Sequence, residues 1–306
     1  MKSVSIITVN FNQFQVNIDF LKSIKKHPYN GALEIIFVDN GSLEEHEAVY
    51  REIFPNLIYI RSEKNLGFAG GNSLGVAVAK NKYLLFLNND VEISENFIGA
   101  MVSKMDINPQ IGLLSPLILY FDDPTIIQYA GFSKMNYITC RNKGIGFREV
   151  NKQQYASDDR ETGYCHGAAM MCRNADLTEV GNMAENYFLY YEELDWCERF
   201  RKAGKKIWFI GNTHIYHKES ISVGKDSRLK SYFMTRNRML FIRKNTSLVN
   251  TIFFYCYFIA VASLKQVLIY LIKDRKDLAK CILNGILWNF THSKESSNLG
   301  FKTTRL

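Results

Sequence analysis

Two short acidic stretches and one histidine carry most of the chemistry that this sequence can offer. The first stretch is Asn88-Asn89-Asp90, directly after the apolar run Tyr83 to Leu87. A carboxylate there, with Asn88 two residues before it, supplies the oxygen donors that a divalent cation on a phosphate prefers. The same residues also suit an Asx turn at a strand end. The second stretch is Glu192-Glu193-Leu194-Asp195, between Tyr187-Phe188-Leu189-Tyr190-Tyr191 and Trp196. Acids opening a helix favour its dipole by a few tenths to ~1 kcal/mol, which is a sufficient structural reason for them. The flanking aromatics do more than a helix start requires. They exclude water, and a desolvated glutamate acquires the raised pKa of a general base. His217, in Thr213-His214-Ile215-Tyr216-His217-Lys218, is a candidate metal ligand, although an isolated histidine usually is not one. His166 invites the same question. A hydrogen-bonded, half-buried histidine is its plainer reading.

These groups need elements to carry them. Tyr83–Leu87 is an apolar run without alternation, as in a strand covered on both faces. Val4–Val9, Glu34–Val38 and Leu57–Arg61 read as further strands. Phe14–Lys26 has helical spacing, with Phe14, Ile18, Leu21 and Ile24 on one face. Helices are also expected at Glu44–Phe54 and Gly70–Ala79, and from Ser94 to about Met105. A strand follows at Ile111–Leu119. Tyr120 to Glu161 is irregular and polar. A helix runs from Glu192 to Ala203, with Gly204 as its stop, and Lys206–Ile210 is another strand. Alternating strands and helices indicate an α/β fold with a mainly parallel, doubly wound sheet. In such sheets ligands bind beyond the carboxyl ends of the strands. The polar residues fall there: Thr8, Asn10 and Asn12, then Asp39-Asn40-Gly41-Ser42, then Asn65–Asn72 with its three glycines after Leu66. Glycines before a helix let backbone N–H groups approach an anion, but this is neither a dinucleotide fingerprint nor a Walker loop. Turn chemistry accounts equally well for Asp39 and Asn65.

The net charge of +8 is uneven. Met1 to His217 holds 22 Lys and Arg against 25 Asp and Glu, whereas Lys218 to Leu306 holds 16 against 5. The basic third could serve nucleic acid, anionic lipid or a phosphorylated ligand. The six cysteines show no CxxC pair and no zinc spacing, as expected of buried thiols in a reducing compartment. Val4–Val9 is too short and too soon polar for a signal peptide.

In combination and order, Val4–Asn12, Val38–Ser42, Asn65–Asn72, Leu87–Asp90, Glu192–Arg199 and His217-Lys218-Glu219-Ser220 resemble the inverting family 2 glycosyltransferases of GT-A fold, within them the rhamnosyltransferase-type members. The resemblance implies a catalytic domain over residues 1–220 and a helical C-terminal extension over 221–306. It implies transfer of a sugar, rhamnose among the candidates, from a nucleoside-diphosphate sugar to a glycan or lipid-linked hydroxyl in surface polysaccharide synthesis. By that resemblance Thr8, Asn10 and Asp39 bind the nucleoside, and Asn65, Gly71 and Asn72 border its pocket. Asn88 and Asp90 occupy the family's DxD position, of which only the last acid is present. Asp90 would bind Mg²⁺ or Mn²⁺, His217 would add a ligand, and Glu193 would be the base with Glu192 beside it. No nucleic acid partner is expected. Arg236-Asn237 matches a recurring stretch without an assigned role. A sugar nucleotidyltransferase and a non-catalytic nucleotide-sugar-binding module are the alternatives. The first should carry a basic glycine-rich loop near Thr8–Gln13, and the second needs no acidic pair.

The tail reads as a basic helix over Ser227–Lys244, then an apolar run from Ile252 to Ala262, broken at Lys265 and Gln266. A membrane span needs ~20 apolar residues. Val249–Leu264 falls short, so an in-plane helix on the inner face of the cell membrane is expected, with a buried helix or a homodimer interface as the other reading. The location expected is therefore cytoplasmic, at that membrane.

Overall fold

The computed structural model describes residues 2–218 and 227–302. Glu219 and Ser220, the end of one matching stretch, lie outside the described residues, as does the expected domain boundary. The unalternated apolar runs become central strands. β1 (Ser3–Asn10), β2 (Ala32–Asp39), β3 (Ile58–Arg61) and β4 (Tyr83–Leu87) alternate with α1 (Phe14–Lys26), α2 (Glu47–Ile53) and α3 (Gly67–Val78). They pair in parallel in the order β3-β2-β1-β4, with Asn10 opposite Asp39. That register lines up the polar strand ends on one rim.

The sheet then changes character. β5 (Val91–Ile93), α4 (Phe97–Ile107), β6 (Ile111–Tyr120), β7 (Ile127–Tyr129), β8 (Asp159–Glu161), β9 (Ala169–Arg173) and the single turn α5 (Leu177–Val180) lead to α6 (Glu192–Lys202) and β10 (Lys206–His217). The order continues β4-β9-β6-β10-β5. β9 runs antiparallel to β4 and β6, and β5 antiparallel to β10. The sheet is therefore mixed, parallel through its first four strands. β7 and β8, three residues each, lie in the stretch read as irregular. They are too short to show a period of two.

Val4, Ile6, Phe20, Leu21, Phe97 and Met101 pack on one face of the sheet. Ile7, Val38, Phe86, Trp196 and Phe200 pack on the other. The second cluster also holds Met239, Leu240, Phe241 and Ile242 of α7 (Arg228–Asn245), so α7 is part of the core that supports the sheet. Ser227 caps α7 by accepting from Lys230 N. The five described buried thiols and exposed Cys256 are all free.

The tail departs from its expected length. α8 (Leu248–Tyr257), a π-helical turn at Phe258–Ser263 and α9 (Leu264–Ile272) form one unbroken helix of 25 residues. Lys265 and Gln266 interrupt the hydropathy but favour helix, so they do not end it. At ~1.5 Å per residue the helix exceeds the ~30 Å hydrocarbon core of a bilayer. Phe254 and Phe258 pack inward. Ile252, Phe253, Val261, Leu264, Leu268 and Ile272 are exposed, as are Leu283 and Leu287 of the antiparallel α10 (Lys276–Thr291).

Candidate active site

A cavity of about 350 Å³ lies beyond the carboxyl ends of β1, β2 and β4, lined by Val9, Phe11, Asn40, Asn65, Phe68, Asn88 and Asp90 among others. Its rim is built from amide hydrogen bonds. Asn40 Nδ2 donates to Asn65 Oδ1 and to Gly67 O, and Asn40 Oδ1 accepts from Leu66 N. Asn10 Nδ2 donates to Ser42 Oγ at 3.0 Å, facing a second cavity with Gln13, Phe14 and His46. Gly67 has φ +74°, and a Cβ there would collide with Phe188 O, so the loop closes only around a glycine.

Four of the expected nucleoside residues are held away from these cavities. Thr8 is fully buried and its Oγ1 has no partner. Asp39, 1% exposed, accepts from Ser42 N and Tyr59 OH, which fixes the turn after β2. A Cβ on Gly71 would stand 2.6 Å from Val9 Cγ1, so this glycine lets α3 sit on β1. Asn72 Nδ2 donates back to Phe68 O within α3. In this conformation these four residues line neither cavity, because packing and turn formation use them.

Asp90 and His217 do meet. β10 pairs with β5 so that His217 faces Val91, and His217 Nε2 lies 3.2 Å from Asp90 Oδ1. His217 Nδ1 lies 2.8 Å from Gln128 Oε1, an acceptor, so Nδ1 carries the proton. In the neutral ring Nε2 then carries a lone pair beside Asp90 Oδ1, which is buried and has no other hydrogen-bond partner. A neutral ring leaves two adjacent donor atoms for one cation, whereas a protonated ring closes an ion pair with Asp90. The pair therefore fits a divalent cation. Among the described residues no third His, Cys, Asp or Glu joins it. A diphosphate and water would fill the remaining positions, as Mg²⁺ commonly accepts.

The acidic pair opens α6 at the end of a strained loop. Phe188, Tyr190 and Tyr191 have φ of 66°, 71° and 76°, each at a cost of ~1–3 kcal/mol for a residue with a Cβ. Asn237 of α7, fully buried, opposes that cost. Its Nδ2 donates towards Tyr187 O, Leu189 O and Tyr190 O within 2.9 Å. Arg236 Nη2 donates to Asn186 O, and its guanidinium stacks 3.9 Å over Trp288. The Arg236-Asn237 stretch thus moulds the loop that presents Glu192 and Glu193. Burial raises both carboxyls, and Glu192 is pushed well above the usual carboxylate range, with the Glu193 charge adding to the effect. Glu192 is 3% exposed and its Oε2 has no partner, whereas Glu193 is only partly buried. Glu192 is thus the more deeply desolvated of the two and Glu193 the more accessible. Asp195 has a structural part, pairing with Arg199 at 3.0 Å and accepting from Tyr187 OH.

Both glutamates line a cavity of about 370 Å³ that shares Phe68, Asn88 and Leu189 with the first. A crevice bearing an Asp–His pair, joined to a desolvated carboxylate, suits group transfer from a diphosphate. Residues 5–181 match the model of the Glycosyl transferase family 2 family. The chain belongs to that family. It is 22% identical over 216 residues to the N-acetylglucosaminyl-diphospho-decaprenol L-rhamnosyltransferase of Mycobacterium tuberculosis, covering 63% of this chain and 69% of that one. It is 23% identical over 255 residues to the low-salt glycan biosynthesis hexosyltransferase Agl10 of Haloferax volcanii, covering 78% and 75%. Its fold resembles that of GalNAc-T7 solved with UDP, GalNAc and Mn²⁺, with a TM-score of 0.61 and 16% identity, over 85% of this chain and 56% of that one. The fold is thus that of the GT-A glycosyltransferases.

Within this glycosyltransferase, two cavity residues escape a reading of the sequence. Phe68 and Leu189 join the two cavities but look like ordinary core residues in a string. His166 lines the carboxylate cavity, its Nδ1 accepting from Ala168 N, and burial with neighbouring His217 lowers its pKa to about 3. Both readings of His166 from the sequence therefore hold, since it is hydrogen-bonded and also lines the cavity.

Proposed function

We propose that this glycosyltransferase moves a hexose or deoxyhexose, with rhamnose the first candidate, from a nucleoside-diphosphate sugar to a hydroxyl of a lipid-linked or glycan acceptor, inverting the anomeric centre. One observation carries the reading: the accessible Glu193, beside the buried Glu192, faces a cavity that continues into the Asp90–His217 crevice. Inversion by direct displacement needs one base, and Glu193 takes the acceptor proton. Asn40, Asn65 and Asn10 border the nucleoside, and Asn88 lies between donor and acceptor. Asp90 and His217 would hold Mg²⁺ or Mn²⁺, which when bound offsets the charge on the departing diphosphate. The relatives' printed names support a hexosyl donor, and one of them names a diphosphate-linked lipid acceptor. The Mn²⁺ and UDP in the GalNAc-T7 structure support the metal and the donor class.

We also propose that the exposed side of the 25-residue helix and α10 rests on the inner face of the membrane, where a lipid-linked acceptor is met. The basic balance beyond Lys218 favours an anionic surface, each such cation contributing ~1 kcal/mol. The test is a screen of nucleotide sugars with Mn²⁺ by thermal shift, followed by product analysis. A ligand at 100 times its dissociation constant stabilises by ~2.7 kcal/mol. Release of nucleoside diphosphate with transfer of the sugar is expected. Release of pyrophosphate, or binding without turnover in the presence of lipid-linked acceptors, would overturn the proposal.

A further inference from the structure

A cavity of about 600 Å³ lies away from the donor crevice, between α7 and the long apolar helix. Arg141, Lys230, Arg238 and Lys265 line it. None of the four makes an ion pair among the described residues. Four cations without acidic partners call for a polyanion. Phe258, Val261 and Ala262 of the long helix add apolar lining.

The long helix is adapted to this cavity. From Phe258 to Ile272 its polar residues are Ser263, Lys265, Gln266 and Tyr270, and all four line it. The π-helical turn at Phe258–Ser263 lies here, and such bulges tend to mark functional positions. Ser263 Oγ is buried with no hydrogen-bond partner. The cavity also adjoins the catalytic glutamates along two separate stretches. Arg238 Nε donates to Tyr191 OH at 2.7 Å, and Tyr191 precedes Glu192. Arg141 precedes Asn142, which lines the Glu193 cavity.

We propose that this cavity binds the diphosphate of a polyprenyl-diphosphate-linked acceptor through Arg141, Lys230, Arg238 and Lys265, with the first isoprenoid units against Val261 and Ala262. A sugar on that diphosphate then extends past Asn142 towards Glu193, and the rest of the chain passes into the apolar surface. The assignment deepens the proposed function and rests on it for the identity of the acceptor.

The test is calorimetric titration of the full chain with farnesyl diphosphate and with inorganic pyrophosphate, both in EDTA, and with UDP in Mn²⁺. Wild type binds farnesyl diphosphate roughly tenfold or more tightly than pyrophosphate, because apolar surface is buried. The double variant Arg141→Ala/Lys265→Gln, altered at two exposed positions, loses roughly tenfold or more for both anions. Val261→Gln weakens farnesyl diphosphate alone. UDP binding is unchanged in each variant, which separates this site from the donor site and its failure from that of the glycosyltransferase reading. Competition between UDP and farnesyl diphosphate, or an unaltered double variant, would overturn the assignment. So would a double variant that loses only its adherence to phosphatidylglycerol vesicles, since the cations would then serve bilayer headgroups.

Discussion

The donor rim and the acidic end of the site are built on opposite principles. On the rim, Asn10, Asp39, Asn40, Ser42 and Asn65 are hydrogen-bonded to one another or to nearby backbone. Around the reacting centre, Asp90 Oδ1 and Glu192 Oε2 are buried without hydrogen-bond partners, and three aromatic residues are held at positive φ. A satisfied network gives a fixed shape. A desolvated, unpartnered group stores free energy that a ligand or a proton can release. The contrast indicates where shape matters and where charge does, and each substitution below breaks one side of it.

The largest effect is expected at Asp90. Asp90→Ala removes the carboxylate facing His217 and should reduce sugar transfer to background while the protein stays folded and metal-dependent nucleotide binding weakens. Wild-type turnover by this variant, or full activity in excess EDTA, would show that no cation is needed there. Glu193→Gln keeps the shape and removes the base, so single-turnover transfer should fall ~10²–10⁴-fold. Donor affinity should change little, because the donor lies in the neighbouring crevice. In wild type, transfer should decline as pH falls through the raised Glu193 pKa, with a midpoint above the ordinary carboxylate range. A midpoint within that range would mean that Glu193 is solvated during turnover.

Asn237→Ala tests whether the strained loop is moulded from α7. Removing the donor leaves carbonyls unpaired and should cost ~1–3 kcal/mol of stability in denaturant melts. It should also lower kcat more than it raises the donor KM, whereas a purely structural asparagine would lower stability alone. The smallest effect, of opposite sign, belongs to Glu192. Its folded pKa lies above its unfolded value. Its contribution to stability is therefore full below the ordinary carboxylate pKa and is lost as pH rises through the folded value. At neutral pH it is a burden, so Glu192→Gln should melt higher than wild type, with the difference vanishing below about pH 4. Its activity should fall less than that of Glu193→Gln. A lower melting temperature at neutral pH would mean that Glu192 is ionised and paired.

Several features were legible in the string because they are local. α1 and β4 begin and end where spacing and hydropathy place them, at Phe14–Lys26 and Tyr83–Leu87. The Asp195–Arg199 pair follows from a separation of one helical turn. Glu192-Glu193 at a helix start among aromatics was readable for the same reason, and the order of polar strand ends predicted a ligand rim. Tertiary structure decided the rest. Asp90 meets His217 only because β5 and β10 pair antiparallel across more than a hundred residues, and pairing register does not follow from either strand alone. Thr8, Asp39, Gly71 and Asn72 suit a nucleoside site by type, and only the tertiary structure shows that they are buried or packed and line neither cavity in this conformation. The unequal burial of Glu192 and Glu193 depends on how α7 and the strained loop pack around them. The long helix shows the same limit. Hydropathy falls at Lys265 while the helical hydrogen-bond ladder continues, because a side chain's polarity does not break the backbone.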